Sequence, residues 1–172
     1  PLDADIATCL YAGLATDTGS FKWARPDSFR IAARLLDSGV DGRTWSRTLF
    51  DTHPFSWLSM VSGVLGSAML VREAADGAGL VYAVVDHDAM SGMSWEESES
   101  IIDIVRTTAD AEIAAVFKEI EPSNWTVSLR SKESVDLIPI ARALGGGGHR
   151  HASGYSDTGA AAEVVARLVG SL

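Results

Sequence analysis

Residues 145–154 read GGGGHRHASG: four consecutive glycines, then His149, Arg150 and His151. Glycine gives up more chain entropy on folding than any other residue, so a run of four is expected to be a loop. Such a loop offers close backbone approach and positive φ, which let peptide N–H groups line a concavity for an anion. A plain flexible turn is the other reading of the glycines, and the adjoining imidazoles and guanidinium favour the anion site. Upstream, Arg130 carries paired donors that match phosphate oxygens, and Ser131 adds a hydroxyl. The chemistry indicated is capture of a phosphorylated ligand by Arg130, Ser131, the backbone of Gly146, Gly147 and Gly148, and a donor on His149.

The charge distribution agrees. The 172 residues carry a formal charge of −9, which excludes a surface built for general polyanion binding. Residues 130–151 nevertheless hold Arg130, Lys132, Arg142 and Arg150 against Glu133 and Asp136. A small basic island in an acidic chain suits a short anionic ligand. Hydrophobic residues at 47% and charged residues at 22% describe a globular chain rather than a disordered one. The lone cysteine, Cys9, lies in an apolar pattern and reads as a buried thiol in a reducing cytoplasm. The most apolar stretch, residues 60–71, is short for a membrane span and is broken by Ser62, Gly63, Gly66 and Ser67, so no membrane segment is expected.

The elements that must position these residues follow from period and punctuation. Asp3 or Asp5 caps a helix to about Leu14, and Pro26 or Asp27 starts a second that Gly39 closes. Residues 41–50 and 54–72 read as two more helices. At Gly77-Ala78-Gly79 the period changes, and residues 80–85 form a buried strand. Ser94 with Glu97 makes a capping box for a helix over Ile101, Ile102 and Val105. Strands over 112–120 and 125–130 meet through Pro122-Ser123-Asn124. A helix after Asp136 runs to Leu144, and a short strand at 151–155 and a helix over 160–169 complete the pattern. Asp157-Thr158-Gly159 reads as the cap of that last helix. Asp86-His87-Asp88, at a strand end, reads as a turn former rather than a metal site. Of the five tryptophans, most read as packing residues, though any could stack on a base.

The segments SLRSK at 128–132 and VDLIPIARALGGGGHRHASG at 135–154 resemble the C-terminal DHH-associated domain of the DHH phosphoesterase family. The likeness is to its bifunctional oligoribonuclease and phosphoadenosine-phosphate phosphatase type. LYAGLATDTGSF at 10–21 is similar to the last metal motif of the family's catalytic domain. The resemblance implies an α/β chain: a helical remainder of the DHH catalytic domain over 1–50, a helical connector over 51–78, and a mixed-sheet associated domain over 79–172. It further implies Asp17 as a metal ligand, where the residues by themselves allow a simple turn cap. It makes His149 a catalytic candidate facing the scissile group, and it places Ser153 and Gly154 in the pocket.

The family's cofactor is a pair of divalent cations, usually manganese, and its substrates are short RNA, phosphoadenosine phosphate and, in related enzymes, cyclic dinucleotides. The family's earlier metal motifs have no counterpart here, since only sixteen residues precede Asp17. The expectation is therefore a C-terminal part that binds a nucleotide phosphate, supplies one metal ligand and is inactive by itself, with a homodimer left open. A non-catalytic nucleotide-binding module and a RecJ-type single-strand DNA exonuclease are the rival readings. The ending at Leu172, shortly after the last helix, and the acidic charge favour the oligoribonuclease type.

Overall fold

In a computed structural model, residues 3–92 and 94–172 are described. The chain forms two compact units, Pro1–Pro54 and Phe55–Leu172. The first contains α1 (Ala4–Asp17), α2 (Pro26–Asp37) and α3 (Gly42–Phe50). Asp3 caps α1 by accepting from the Ile6 N–H, and Asp41 caps α3 through the Thr44 N–H. Pro26 sits in the first turn of α2, where its missing N–H costs nothing. Ala7, Tyr11 and Ala15 recur at helical spacing and meet Ala32, Leu35 and Val40 in a small core. Cys9 falls off that buried face and is exposed, which corrects the expectation of a buried thiol.

The second unit is built on a sheet whose strands, among the described residues, lie in the order β1-β2-β3-β4-β6-β5. These are β1 (Met69–Val71), β2 (Leu80–Val85), β3 (Ile113–Glu121), β4 (Asn124–Ser131), β5 (Gly147–His149) and β6 (Ala152–Thr158). β2 and β3 run parallel and every other pairing is antiparallel, so the sheet is mixed and the fold class is α/β. The helices are α4 (Phe55–Gly66), α5 (His87–Ser91), α6 (Trp95–Val105), α7 (Leu137–Ala143) and α8 (Ala161–Gly170). The expected helix over 54–72 stops at Gly66; Met69–Val71 instead pairs with β2. The division between units accordingly falls at Pro54, and residues 55–78 contribute to the sheet unit rather than standing apart.

Alternation along β3 and β4 sends residues to two cores. Leu80, Ile113, Ala115, Phe117, Val127 and Leu129 pack under α7 and α8 with Leu137, Val164 and Leu168. Val81, Ala83, Ala114 and Val116 pack on the other face, against Val64 of α4 and Ile101, Ile102 and Val105 of α6. The capping box at Ser94 and Glu97 forms as the sequence predicts and sets where α6 begins.

A charged group is enclosed on this side of the sheet. Lys118 is wholly buried, ion-paired to Glu99 and 4.7 Å from the centre of the Trp95 ring. Burying an ammonium is tolerated only while its charge is met, here by a carboxylate and an aromatic face. Glu99→Ala is therefore expected to lower stability by about 2 kcal/mol, less than for a fully enclosed pair because the Glu99 side chain keeps 37% of its exposure. Lys118→Met, which removes the charge itself, should cost less. Urea unfolding midpoints of the two variants check this ordering.

Candidate functional site

Of the basic island, Arg130 lies near the end of β4 and Arg150 in the turn between β5 and β6, whereas Lys132 follows β4 and Arg142 is on α7. Register pairs Arg130 with Ala152, and Ala152 with His149. Directly paired residues point to the same face, so Arg130 and His149 flank the small Ala152, roughly 10 Å apart across two strand spacings. The neighbouring row on that face is Ser128, Gly154 and Gly147. The result is a tray with almost no side chains in its floor and a guanidinium and an imidazole on its sides. α4 and α6, which share this face, pack on β2 and β3; Gly147 and His149 remain exposed.

The glycine run is not the expected loop throughout: Gly147–His149 is β5, the edge strand. Two of its glycines have demonstrable reasons. A Cβ on Gly146 would collide with the Gly154 carbonyl oxygen and stand 2.5 Å from Tyr155 Cβ. Gly148 has φ +141 and would place a Cβ 2.6 Å from the Ala152 oxygen. The run is thus a close-packed ribbon whose edge position leaves alternate N–H groups without sheet partners. These N–H groups are held by a strand rather than by the expected loop.

The two serines expected in the pocket are committed within the protein. Ser131, 6% exposed, donates its hydroxyl proton to the Val135 carbonyl at 2.8 Å and lies 3.0 Å from His151 Nδ1. Ser153, 5% exposed, donates to the His149 carbonyl at 2.8 Å. Both hold the backbone of the site, and their protons are not free for a ligand. Arg130 is half-buried and donates one Nη1 hydrogen bond to the Leu129 carbonyl at 3.0 Å, which leaves its other N–H groups for a partner. Glu112 was missed from sequence: its Oε1 accepts from the backbone N–H groups of Glu133 and Ser134, both at 2.7 Å, and of Val135 at 3.4 Å. Desolvation pushes this carboxyl up, but the backbone donors outweigh it and hold it below its ordinary value of 4.5.

Asp17, in the helical unit, is the last residue of α1 and is exposed. The helix runs three residues past its expected end, so Asp17 stands on a helix terminus rather than in the turn. Thr18 shapes the turn after α1: its Oγ1 donates to Leu14 O at 2.7 Å and accepts from the Phe21 N–H at 3.2 Å. Gly19, Ser20 and Phe21 then take φ of +55, +56 and +67 in succession. Ser20 and Phe21 are uncommon in that left-handed region, a local strain of the kind concentrated at functional turns. Among the described residues, no group of three or more His, Cys, Asp or Glu is placed to hold a metal ion. A two-cation site therefore does not fit the residues present, of which Asp17 is a single candidate ligand. Asp86 N-caps α5 through the Ala89 N–H, as its turn reading predicts. Asp157 does not cap α8; it forms a two-bond ion pair with Arg167, whose hydrogen bonds lower its pKa.

A family model described as DHHA1 domain matches residues 77–169, more than half of the chain. A Thermus thermophilus protein named bifunctional oligoribonuclease and PAP phosphatase NrnA is 33% identical over 159 residues, which cover 91% of this chain and 46% of that protein. The chain spans about half the length of the curated relatives it matches. The fold is shared with an exopolyphosphatase-related protein of Bacteroides fragilis, at a TM-score of 0.83 and 23% identity, covering 98% of this chain and 50% of that one. No helix of the described residues is long and apolar enough to cross a membrane.

The packing of this corner has two measurable consequences. Gly146→Ala is expected to lower the melting temperature by several degrees, on the order of 2 kcal/mol of overpacking, whereas Gly147→Ala, with open space around its Cβ, should leave it nearly unchanged. For Glu112, the depressed folded pKa means its contribution is present above pH 4.5 and is lost as pH falls through the lower folded value. The protection of the Ser134 amide relative to its intrinsic exchange rate should fall across that window, and not in Glu112→Gln, whose anchor is already weakened.

Proposed function

Since the chain belongs to the DHHA1 domain family, we propose that it is the ligand-holding part of a metal-dependent phosphoesterase acting on nucleotide phosphates. The observation that carries the reading is the row Arg130–Ala152–His149 beside a floor of Gly147 and Gly154. A guanidinium on one side and an imidazole on the other suit a phosphate between them, and edge-strand N–H groups add neutral donors. The absent side chains let the ligand lie against backbone. Ser131 and Ser153 enter as braces of this row rather than as contacts.

The substrates proposed are short oligoribonucleotides, released as 5′-mononucleotides, and 3′-phosphoadenosine 5′-phosphate, converted to AMP. The likeness to the Thermus thermophilus protein supports this choice. Cyclic dinucleotides are a further candidate class. His149 is the residue proposed to touch the reacting phosphate, as a donor from the side of the tray. Asp17 is proposed as one ligand of two divalent cations, manganese by family habit. The remaining ligands would come from residues outside these 172. Hydrolysis is accordingly not expected of the 172 residues by themselves, which act as a nucleotide-binding module. A reducing cytoplasm is the proposed setting, with Cys9 unpaired.

Calorimetric titration with the diribonucleotide pApA tests the reading. Binding without turnover is expected, with or without manganese. Arg130→Ala and His149→Ala should each weaken it by about tenfold, the value of one charge-assisted hydrogen bond near 1.4 kcal/mol. Affinity untouched by both substitutions would move the site elsewhere, and substantial manganese-dependent release of AMP would refute the partial-site view.

A further inference from the structure

The tray leaves an unsolved mechanical problem. His149 sits on an edge strand of three residues, two of them glycines, and all three are exposed. Such a strand has no side-chain packing of its own to hold an imidazole in place.

The turn between β5 and β6 supplies the restraint. Three successive carbonyls, of His149, Arg150 and His151, are each taken by a different element. Ser153 Oγ of β6 donates to the first at 2.8 Å, the Leu137 N–H at the start of α7 to the second at 2.9 Å, and the Ser131 N–H at the end of β4 to the third at 3.2 Å. The fourth tie is made by a side chain. Ser131 Oγ has one proton, and it goes to the Val135 carbonyl, which can only accept. Toward His151 Nδ1, 3.0 Å away, the same oxygen must therefore accept. The imidazole has to carry its proton on Nδ1, so its tautomer is dictated by a nearly inaccessible hydroxyl. The Val135 carbonyl is fixed in turn, because Glu112 holds the N–H groups of residues 133–135.

We infer that His151 is a positioning residue: an Nδ1–H latch to Ser131, backed through Val135 by Glu112, that holds the β5–β6 hairpin and so sets where His149 stands beside the tray. The inference rests on the tray being the ligand site. It also accounts for a histidine that ligand contact does not use.

The test measures pApA affinity of the full 172-residue chain and its variants, together with the nitrogen NMR signature of His151. The unmodified chain should show a protonated Nδ1 and a bare Nε2 in neutral imidazole. His151→Ala should weaken pApA by about five- to tenfold at nearly unchanged melting temperature; Ser131→Ala should weaken it as much, at a lower melting temperature because the Val135 carbonyl also loses its donor, with the double variant binding no worse than Ser131→Ala. His151→Asn, whose amide N–H can replace Nδ1–H, should recover affinity to within about threefold. The latch is overturned, with the ligand site intact, if the unmodified chain binds and His151→Ala binds equally well. It is overturned also if Asn is as poor as Ala or if the proton is found on Nε2. No pApA binding by the unmodified chain overturns the ligand reading and the latch with it.

Discussion

The constraint on which this molecule depends is the register of β6 between β4 and β5. Ala152 opposes Arg130 on one side and His149 on the other. A slip of one residue in either pairing would carry a functional side chain through the sheet to the α7 face. The register is held from that opposite face. Trp125, Val127 and Leu129 are locked in the core beneath α7 and α8, and Tyr155 admits only a glycine at position 146. Core packing on one side of the sheet thus places charge on the other.

The distribution of helices follows the same economy. α7 and α8 cover one face, while α4 and α6 cover the β2–β3 half of the other. The uncovered part of that face is where the floor shrinks to Ala152, Gly154 and Gly147. A sheet face without large apolar residues needs no helix over it, so the absence of side chains both exposes the corner and makes it suitable for a ligand. The buried polar residues work within this frame. Ser131 and Ser153 spend their protons on backbone carbonyls, and Glu112 gathers three amides of the loop leading to α7. Each satisfies a group that would otherwise be costly in a half-buried hairpin.

Much of this was legible from residue types. The capping box at Ser94, the helix after Asp136, the turn at Ser123 and the strand at 80–85 are local features, written in neighbours three or four positions apart. Arg130 and His149 stood out through charge and glycine context. Three of the misreadings share one cause, a competing long-range contact. Residues 69–71 are apolar enough for a helix, yet β2 offers them a ladder. Gly147–His149 has no strand propensity and is a strand because β6 supplies its hydrogen bonds. Asp157 could cap α8, but Arg167, one face of that helix away, takes its carboxylate. Nothing near Glu112 in sequence announces that it will meet residues 133–135.

By itself the sequence determined the α/β class, the order of most elements and the chemical character of the site, because helical period, caps and clustered charge are short-range properties of the chain. Tertiary structure decided which face each residue occupies. It put an alanine between the arginine and the histidine, turned two expected pocket serines into braces, and tied His151 to Ser131. These outcomes depend on strand register and on hydroxyl protons with one destination each, and both are settled only when segments distant in sequence are brought within hydrogen-bonding distance.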